Sequence, residues 1–280
     1  MNEDTQRICQ NCGQQATGAY CASCGEKSFD PSQEFRLTHF LRQVYDEFIA
    51  IDSKLLKTIG TLLAKPGKLT QESMHGVRIK YLKPIQLFLL VSVAFYFFLP
   101  GSDAYYSNLN EMNKGYVQGN YLENTFHYNV ISALESRSGR TGLTVTQLIA
   151  NFEISAAEKA KGFLFLIIPF LGLQIWLLFS QSVKFYVVHV MLALHALSFF
   201  LLLNLGFVLL LRGIGVKDFS GIVFLPVGMI FAGYLYLSFK RIFGSSGVRL
   251  MINTVITTCT FVLLLLVYRQ LVTITTIVLL

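Results

Sequence analysis

Charged residues are scarce in this chain, and long stretches have none at all. Only 14% of the 280 residues are Asp, Glu, Lys or Arg, whereas soluble domains average about 25%. A soluble fold of this size needs a charged surface, so the shortage argues against an ordinary soluble protein. Because lipid offers no hydrogen bonds, charge-free segments must satisfy their backbone internally, as helices or as a closed barrel.

The sequence also lacks the signatures of common catalytic and nucleotide-binding sites. It has no Walker loop, no HExxH, no GxSxG and no dinucleotide fingerprint. We expect no secretory signal peptide, because residues 1–34 are polar and contain no apolar run. The lack of these catalytic and nucleotide-binding motifs weighs against an enzyme of a familiar class and favours a non-catalytic role.

Five apolar blocks without a charged residue follow the polar N-terminal part. A helix needs about 20 residues to cross about 30 Å of hydrocarbon, and by that measure the first block is short and the third is long. We therefore predict an all-α integral membrane protein with about five transmembrane helices. The blocks are Pro84–Gly101, Gly162–Val183, Phe185–Leu211, Phe219–Phe239 and Leu250–Tyr268.

The C-terminal end allows two interpretations. Arg269 interrupts an apolar stretch that resumes at Leu271 and runs to Leu280. Either the fifth helix ends at Arg269 and a short tail follows, or one long helix carries Arg269 at its outer interface, which we favour. Within this span, Cys259 is expected to be a small buried apolar residue.

The distribution of positive charge predicts the orientation. Residues 65–83 carry five Lys or Arg residues against Glu72 alone, and the loop after the fourth block carries Lys240, Arg241 and Arg249 without an acid. Cytoplasmic loops collect Lys and Arg. We therefore expect a cytosolic N-terminus, an extracytoplasmic C-terminus and an extracytoplasmic segment 102–161. The helical pattern of 144–161 is expected to run straight into the second span.

Residues 35–83 are predicted to form a cytosolic amphipathic helix and a basic linker. Apolar residues recur at helical spacing from Phe35 to Leu63, with charged residues between them. Lys65, Pro66 and Gly67 end this pattern, because Pro and Gly interrupt helices. The bundle would then occupy 84–280.

Residues 1–30 carry the sharpest motif, two Cys-x-x-Cys-Gly knuckles. Four thiolates close a tetrahedral structural zinc site, and the metal would supply the folding energy of so short a segment. Disulfides would need an oxidising compartment, and a thioredoxin-like pair would need a βαβ context. Two basic residues against four acids make nucleic acid an unlikely partner of this zinc ribbon. The predicted ligands are Cys9, Cys12, Cys21 and Cys24.

A basic cluster stands just before the first span. One interpretation is a positive-inside anchor with an interfacial Tyr; the other is a site for an anionic lipid headgroup or a phosphorylated ligand. In the second case, Arg78 would bind phosphate through two hydrogen bonds. The candidate residues are Arg78, Lys80, Tyr81 and Lys83.

The third span contains a second polar candidate, formed by Tyr186, His189 and His195. Histidine within a membrane is costly and is by default a functional hypothesis. The two His residues lie about 120° apart around the helix and about 9 Å apart along it, so each must find its own partner on a neighbouring helix. Polar packing between helices competes here with a proton relay, a haem or a metal site.

Several of these features together resemble the bacterial membrane proteins grouped as domain of unknown function 3667. The likeness is most specific over about residues 36–90. It implies a bacterial inner-membrane protein with an N-terminal zinc ribbon and no established activity, and it supplies no catalytic residues. The features are the paired Cys-x-x-Cys-Gly knuckles, Asp52, Leu55, Leu56, Thr58, Pro66-Gly67, Gly76-x-Arg78-x-x-Tyr81-x-x-Pro84, Pro169, Tyr186-x-x-His189 and His195.

Three hypotheses for function follow. The first is a non-catalytic anchor or scaffold whose zinc ribbon and amphipathic helix engage a protein partner at the cytosolic face of the bilayer. The second is lipid or small-solute handling through the Arg78 cluster and the intramembrane His residues. The third is a membrane-embedded enzyme with a cytosol-facing site, which lacks any paired nucleophile or acid.

Overall fold

The structure is a computed structural model that forms two compact units, Met1–Ser53 and Lys54–Leu280. In the first unit, β1 (Arg7–Ile8) pairs antiparallel with β2 (Gln15–Ala16). The residues that the structure describes are 7–8, 13–16, 22–23, 54–76, 80–99, 133–215, 224–244 and 246–279.

The described part of the second unit is helical. Its helices are α1 (54–64), α2 (Lys68–Met74), α3 (Pro84–Phe98), α4 (133–141), α5 (Val145–Phe179), α6 (Tyr186–Gly213), α7 (Phe224–Phe243) and α8 (Val248–Leu279). As the sequence predicted, α1 ends where Lys65, Pro66 and Gly67 interrupt the helical pattern.

Three helices, α5, α6 and α8, are long and apolar enough to cross a membrane. They confirm the prediction of a helical membrane protein. The other two predicted spans correspond to shorter helices. Helix α3 has 15 residues, or about 22 Å of helix. Helix α7 has 20 residues, and its last turn contains Lys240 and Arg241.

Helix α6 lies at the centre of the described helices. It packs against α2, α3, α5 and α7, and every residue from 192 to 201 is buried. The middle of α6 is therefore covered by protein on every side, whereas Val187 and Leu210 near its ends are exposed, as an apolar helix in a membrane allows. Its two histidines are therefore surrounded by protein.

Helix α8 has its more polar side inward and its apolar side outward. Asn253, Thr254 and Thr257 are buried, while Val255 and Leu263 are about 60% exposed. This arrangement is the reverse of a soluble helix and is what a lipid-facing helix requires. The prediction that Cys259 is buried was wrong, because its side chain lies on the exposed face. A small apolar side chain is as compatible with lipid as with a protein core.

Two predictions about helix continuity are confirmed. Helix α5 runs unbroken through the predicted pattern 144–161 and on to Phe179, and Thr144 caps it by accepting a hydrogen bond from the Gln147 amide at 3.3 Å. Helix α8 continues through Arg269 to Leu279 as one helix of 32 residues. Thus Arg269 interrupts the apolar sequence without ending the helix.

One glycine marks a close approach of two helices. A Cβ added to Gly172 on α5 would lie 3.0 Å from the Val190 Cγ2 and 3.2 Å from the Val190 Cα on α6. Three other glycines within these helices, Gly206, Gly228 and Gly233, have nothing within 4 Å of such an atom. Of these four glycines, only Gly172 therefore lies in close contact with a neighbouring helix.

Candidate functional site

The residues 54–76, here called the platform, are joined to the centre of the bundle by a buried hydrogen bond. The Thr70 hydroxyl on α2 and the His195 Nδ1 on α6 lie 2.8 Å apart, and both side chains are almost wholly buried. His195 lies about 13 Å along α6 from the start of that helix. Helix α2 of the platform therefore contacts α6 more than two turns inside that helix.

A second contact holds the turn of the platform against α7. Gly67 has φ +75°, and a Cβ added to it would lie 2.8 Å from the Ser238 Cα. A side chain at this position would meet both a backbone clash and a conformation that L residues rarely adopt. Arg241, one turn further along α7, donates a hydrogen bond to the Pro66 carbonyl oxygen. The Pro66-Gly67 turn is thus fitted to α7 from two sides.

A third contact sets how the chain enters α3. The Thr58 hydroxyl on α1 is fully buried; it donates to the Lys54 carbonyl oxygen and accepts from the Leu82 amide at 3.1 Å. This amide stands just before the first turn of α3, which begins at Pro84. Thr58 therefore ties the start of the platform to the start of the following helix.

Glu72 is the charged centre of the platform. Its Oε1 lies 3.5 Å from the Lys68 Nζ and 3.6 Å from the Lys80 Nζ. Burial acts to raise the pKa of the Glu72 carboxyl group, but the Tyr81 hydroxyl and the two ammonium groups outweigh it, so that this pKa lies below its usual value. The Tyr81 hydroxyl likewise raises the pKa of Lys80; burial opposes that rise and the Glu72 carboxylate adds to it.

The four residues of the predicted anionic site have different surroundings. Lys80 is paired with Glu72, and its Nζ lies 5.1 Å from the centroid of the Tyr81 ring. Tyr81 is buried, whereas Lys83 is exposed just before α3. Arg78 lies outside the described residues. The ammonium group of Lys80 therefore interacts mainly with groups of the protein itself.

The three residues of the predicted intramembrane site each have a separate partner. Tyr186 donates to the Pro169 carbonyl oxygen at 2.9 Å, and the His189 Nδ1 lies 3.0 Å from the Phe185 carbonyl oxygen. Because a carbonyl oxygen only accepts, Nδ1 carries the proton in this contact. The His189 ring stacks on Phe243 of α7, and its Nε2 is buried with no hydrogen-bond partner in the described ranges.

The four cysteines of the predicted zinc site lie outside the described residues, and the described ranges by themselves contain no cluster of metal ligands. The structure describes some of the residues around the two Cys-x-x-Cys knuckles, namely 7–8, 13–16 and 22–23. The antiparallel pair β1–β2 flanks the first knuckle, and Gly13 at its end has φ +71°, the positive φ expected of a knuckle glycine. Ser23, inside the second knuckle, donates to the Gln14 side-chain oxygen.

Nothing in the sequence pointed to Thr70 or Ser238, and Thr58 stood out only among the residues that carry the family resemblance. Their role depends on partners far along the chain, for which a local pattern carries no signal. Glu72 was noted only as the lone acid of a basic segment, although the spacing of Lys68 and Glu72 predicts a helical ion pair. Gly67 was explained as a helix breaker, and its fit against α7 was not foreseen.

Residues 52–97 match the family described as Protein of unknown function (DUF3667). The match covers the whole platform and almost all of α3, and it supports the predicted family resemblance. No curated protein matches the chain, and no solved structure does.

Proposed function

We propose that this protein is a non-catalytic anchor of the bacterial inner membrane that recruits a protein partner at its cytosolic face. In this proposal the five apolar blocks are five spans, with the N-terminus in the cytosol and the C-terminus outside. The zinc ribbon, with zinc held by the four cysteines, and the amphipathic helix engage the partner.

The observation that carries the proposal is the directional attachment of the platform. Thr70, Gly67 and Thr58 each fix a different point of it, to α6, to α7 and to the entry of α3. A flexible tether needs none of these contacts. A surface that must present one face to a partner does need them, and the outward side of α1 exposes Leu56 and Lys57.

The use of polar groups within the bundle favours an anchor over transport or catalysis. The Nδ1 atoms of His189 and His195 both engage groups of the protein itself. Around His195, the side chains of residues 192–201 are all packed against protein. His195 therefore links α6 to α2 as a polar packing contact rather than as part of a solute path, while the His189 bond stays within the start of α6.

The proposed orientation rests on the basic residues at one end of the bundle. Arg241 is bonded to Pro66, so the end of α7 and the platform lie together, and both carry exposed lysines. In the sequence of residues 54–99 and 224–279, Glu72 is the single acid. Such an excess of Lys and Arg is typical of the cytosolic side.

The zinc assignment is supported by chemistry and by local geometry. Cysteine thiolates in two Cys-x-x-Cys pairs match a closed structural zinc site, which leaves no position for a bound water and so serves folding rather than catalysis. The positive φ of Gly13 and the contact of Ser23 with Gln14 agree with two knuckles that lie close together.

Site-specific photocrosslinking in native membranes tests the anchor. A photoreactive residue at Lys57, on the exposed side of α1, should give a discrete protein adduct. The matched control at Leu263, on the exposed side of α8, should give lipid adducts only. The Cys9→Ser/Cys12→Ser variant should lose bound zinc, measured by atomic emission, and should lose the protein adduct as well.

Two results would contradict the proposal. If position 57 gives only lipid adducts, as position 263 is expected to do, the recruiting surface is disproved. If the purified full chain contains no zinc, the proposed zinc ribbon is wrong even where the adduct persists.

A further inference from the structure

The end of α7 and the turn of the platform form a corner that gathers three positive charges. Arg241 on α7 donates to the Pro66 carbonyl oxygen, and Gly67 lies against Ser238. These contacts bring the neighbouring residues Lys65 and Lys240 to the same corner. All three cationic side chains are exposed.

None of these three cations is neutralised by a carboxylate in the described part of the chain. The salt bridges found there both involve Glu72, which is shared between Lys68 and Lys80. Neither α7 nor α8 contains an acidic residue. Lys65, Lys240 and Arg241 therefore form a concentrated positive charge directed outward from the protein.

An apolar surface lies next to this charge. Leu237 precedes Lys240 and Arg241 by three and four residues, so the three share one face of α7. Its side chain is 51% exposed, and Leu63, just before Lys65 on α1, is 47% exposed. The corner thus combines exposed cations with exposed leucines at the C-terminal ends of α1 and α7.

We propose that this corner binds an anionic glycerophospholipid, with its phosphate held by Lys65, Lys240 and Arg241 and its acyl chains against Leu63 and Leu237. The guanidinium of Arg241 has five N–H donors; one is used on Pro66, and its planar fork suits phosphate oxygens. The polar and apolar halves of the corner match the two halves of such a lipid, which a soluble phosphate compound would not require.

This site differs from the cluster predicted from sequence before α3. There, Lys80 is paired with Glu72 and Tyr81 is buried, so that cluster offers less free charge. The proposed lipid would also contact both α7 and the platform, and its binding would strengthen their attachment to each other. The site is independent of whether the protein acts as an anchor.

Native mass spectrometry of the full chain, delipidated in a neutral detergent, tests the site. Added dioleoylphosphatidylglycerol should bind at one preferred site, whereas dioleoylphosphatidylcholine, with the same acyl chains, should bind much more weakly. Each basic residue near a membrane surface contributes to anionic lipid binding, and we expect about a fivefold loss of affinity for each one removed. The Lys65→Gln/Lys240→Gln/Arg241→Gln variant should therefore lose on the order of a hundredfold.

The matched control is Lys57→Gln/Lys184→Gln/Arg249→Gln, which removes the same charge from exposed positions elsewhere on the protein. It should bind the lipid almost as the unaltered chain does. If the first triple variant does not fold, Lys65→Gln/Lys240→Gln replaces it, because neither side chain makes a hydrogen bond or ion pair in the described ranges; it should lose about twentyfold.

Three outcomes would overturn the proposal. Equal losses in the site variant and the control would show a general charge effect with no site at this corner. Equal binding of the two lipids would show that the phosphate charge is not recognised. Displacement of the lipid by millimolar inorganic phosphate or glycerol 3-phosphate would assign the site to a soluble phosphate compound.

Discussion

The platform and helix α8 are attached to the bundle in opposite ways. The platform is held at a few points by directional contacts, such as the hydrogen bond between Thr70 and His195 and the close fit of Gly67 against Ser238. Helix α8 is held mainly by a periodic inward face along its length, to which Tyr268 adds a hydrogen bond to the Ala160 carbonyl oxygen of α5 at 2.8 Å. Its threonines bond mainly to carbonyl oxygens of their own helix, as Thr254 does to Leu250.

The comparison shows which parts of this protein depend on a few particular residues and which depend on a repeated pattern of many residues. A periodic face spreads its packing energy over many small contributions, so one substitution removes little. A few directional contacts concentrate the energy, so one substitution removes much. The part that matches the family model, residues 52–97, contains the platform side of each of these directional contacts.

The largest expected effect comes from Gly67→Ala. The added Cβ would meet the Ser238 Cα and would require a residue other than glycine at φ +75°. Both effects are unfavourable, and together we expect a loss of about 3 kcal/mol in the free energy of unfolding. Unfolding by a denaturing detergent in mixed micelles measures it.

Two other glycines separate these effects. Gly76→Ala, at φ +80° with open space around it, should cost about 1 kcal/mol from backbone strain alone. Gly60→Ala, within α1 and equally open, should stabilise by about 0.5 kcal/mol. A loss for Gly67→Ala no larger than that for Gly76→Ala would mean that the platform does not dock closely on α7.

The next largest effect is expected for Thr70→Val. Valine keeps the volume of threonine but leaves the buried His195 Nδ1 without its partner, which should cost about 1–2 kcal/mol. Thr254→Val is the matched change on α8; its hydroxyl bonds at 2.8 Å to a carbonyl oxygen of its own helix, so the loss should stay under about 0.5 kcal/mol.

A double-mutant cycle decides whether the hydrogen bond itself is responsible. With His195→Leu already present, Thr70→Val should cost almost nothing, because both partners are then apolar. An undiminished loss in that background would show that Thr70 acts through packing.

A smaller, pH-dependent effect is expected for Glu72→Gln. The pKa of Glu72 lies below its usual value near 4.5, so its charged form stabilises the protein above that pH, and the contribution is lost as pH falls through the lowered pKa. The variant should therefore be slightly less stable than the unaltered chain at pH 7, by the small amount typical of a partly exposed ion pair. The difference in stability between the two proteins should shrink as pH falls below 4.5 and close once it has passed the lowered pKa of Glu72; a constant difference would contradict the ionic origin.

The smallest effect is expected for Cys259→Val on the outward side of α8. Because this side chain faces away from the protein, stability should change by less than about 0.5 kcal/mol. In intact membranes the thiol should react slowly with a water-soluble maleimide, since lipid surrounds it, and rapidly after denaturation. Fast labelling of the native protein would show that this side of α8 faces water or a cavity.

The features that the sequence could predict are those with short-range causes. The Pro66-Gly67 stop of α1, the run of α5 from the 144–161 pattern into the second span and the run of α8 through Arg269 all follow from residues within a few turns of one another. Helical propensity and membrane composition act over that distance, so a local pattern contains the answer. The long apolar helices were predictable for the same reason.

The features that the sequence could not predict depend on register between distant helices. His195 was expected to need a partner on a neighbouring helix, but no rule of spacing indicates Thr70, which lies 125 residues earlier. Likewise, nothing local distinguishes Gly172, which a neighbouring helix approaches closely, from Gly206, which has open space around it. The inward or outward position of Cys259 also depends on how α8 is rotated against α5 and α7.

The order of synthesis gives the attachment of the platform a further meaning. Thr70 leaves the ribosome 125 residues before His195, which is on the order of ten seconds at ordinary elongation rates, and Ser238 appears later still. During that interval the platform has neither of these partners, so its attachment must follow the insertion of α6 and α7. A chain that stops or misinserts before α7 would leave the platform undocked, and proteases that survey new membrane proteins would find it accessible.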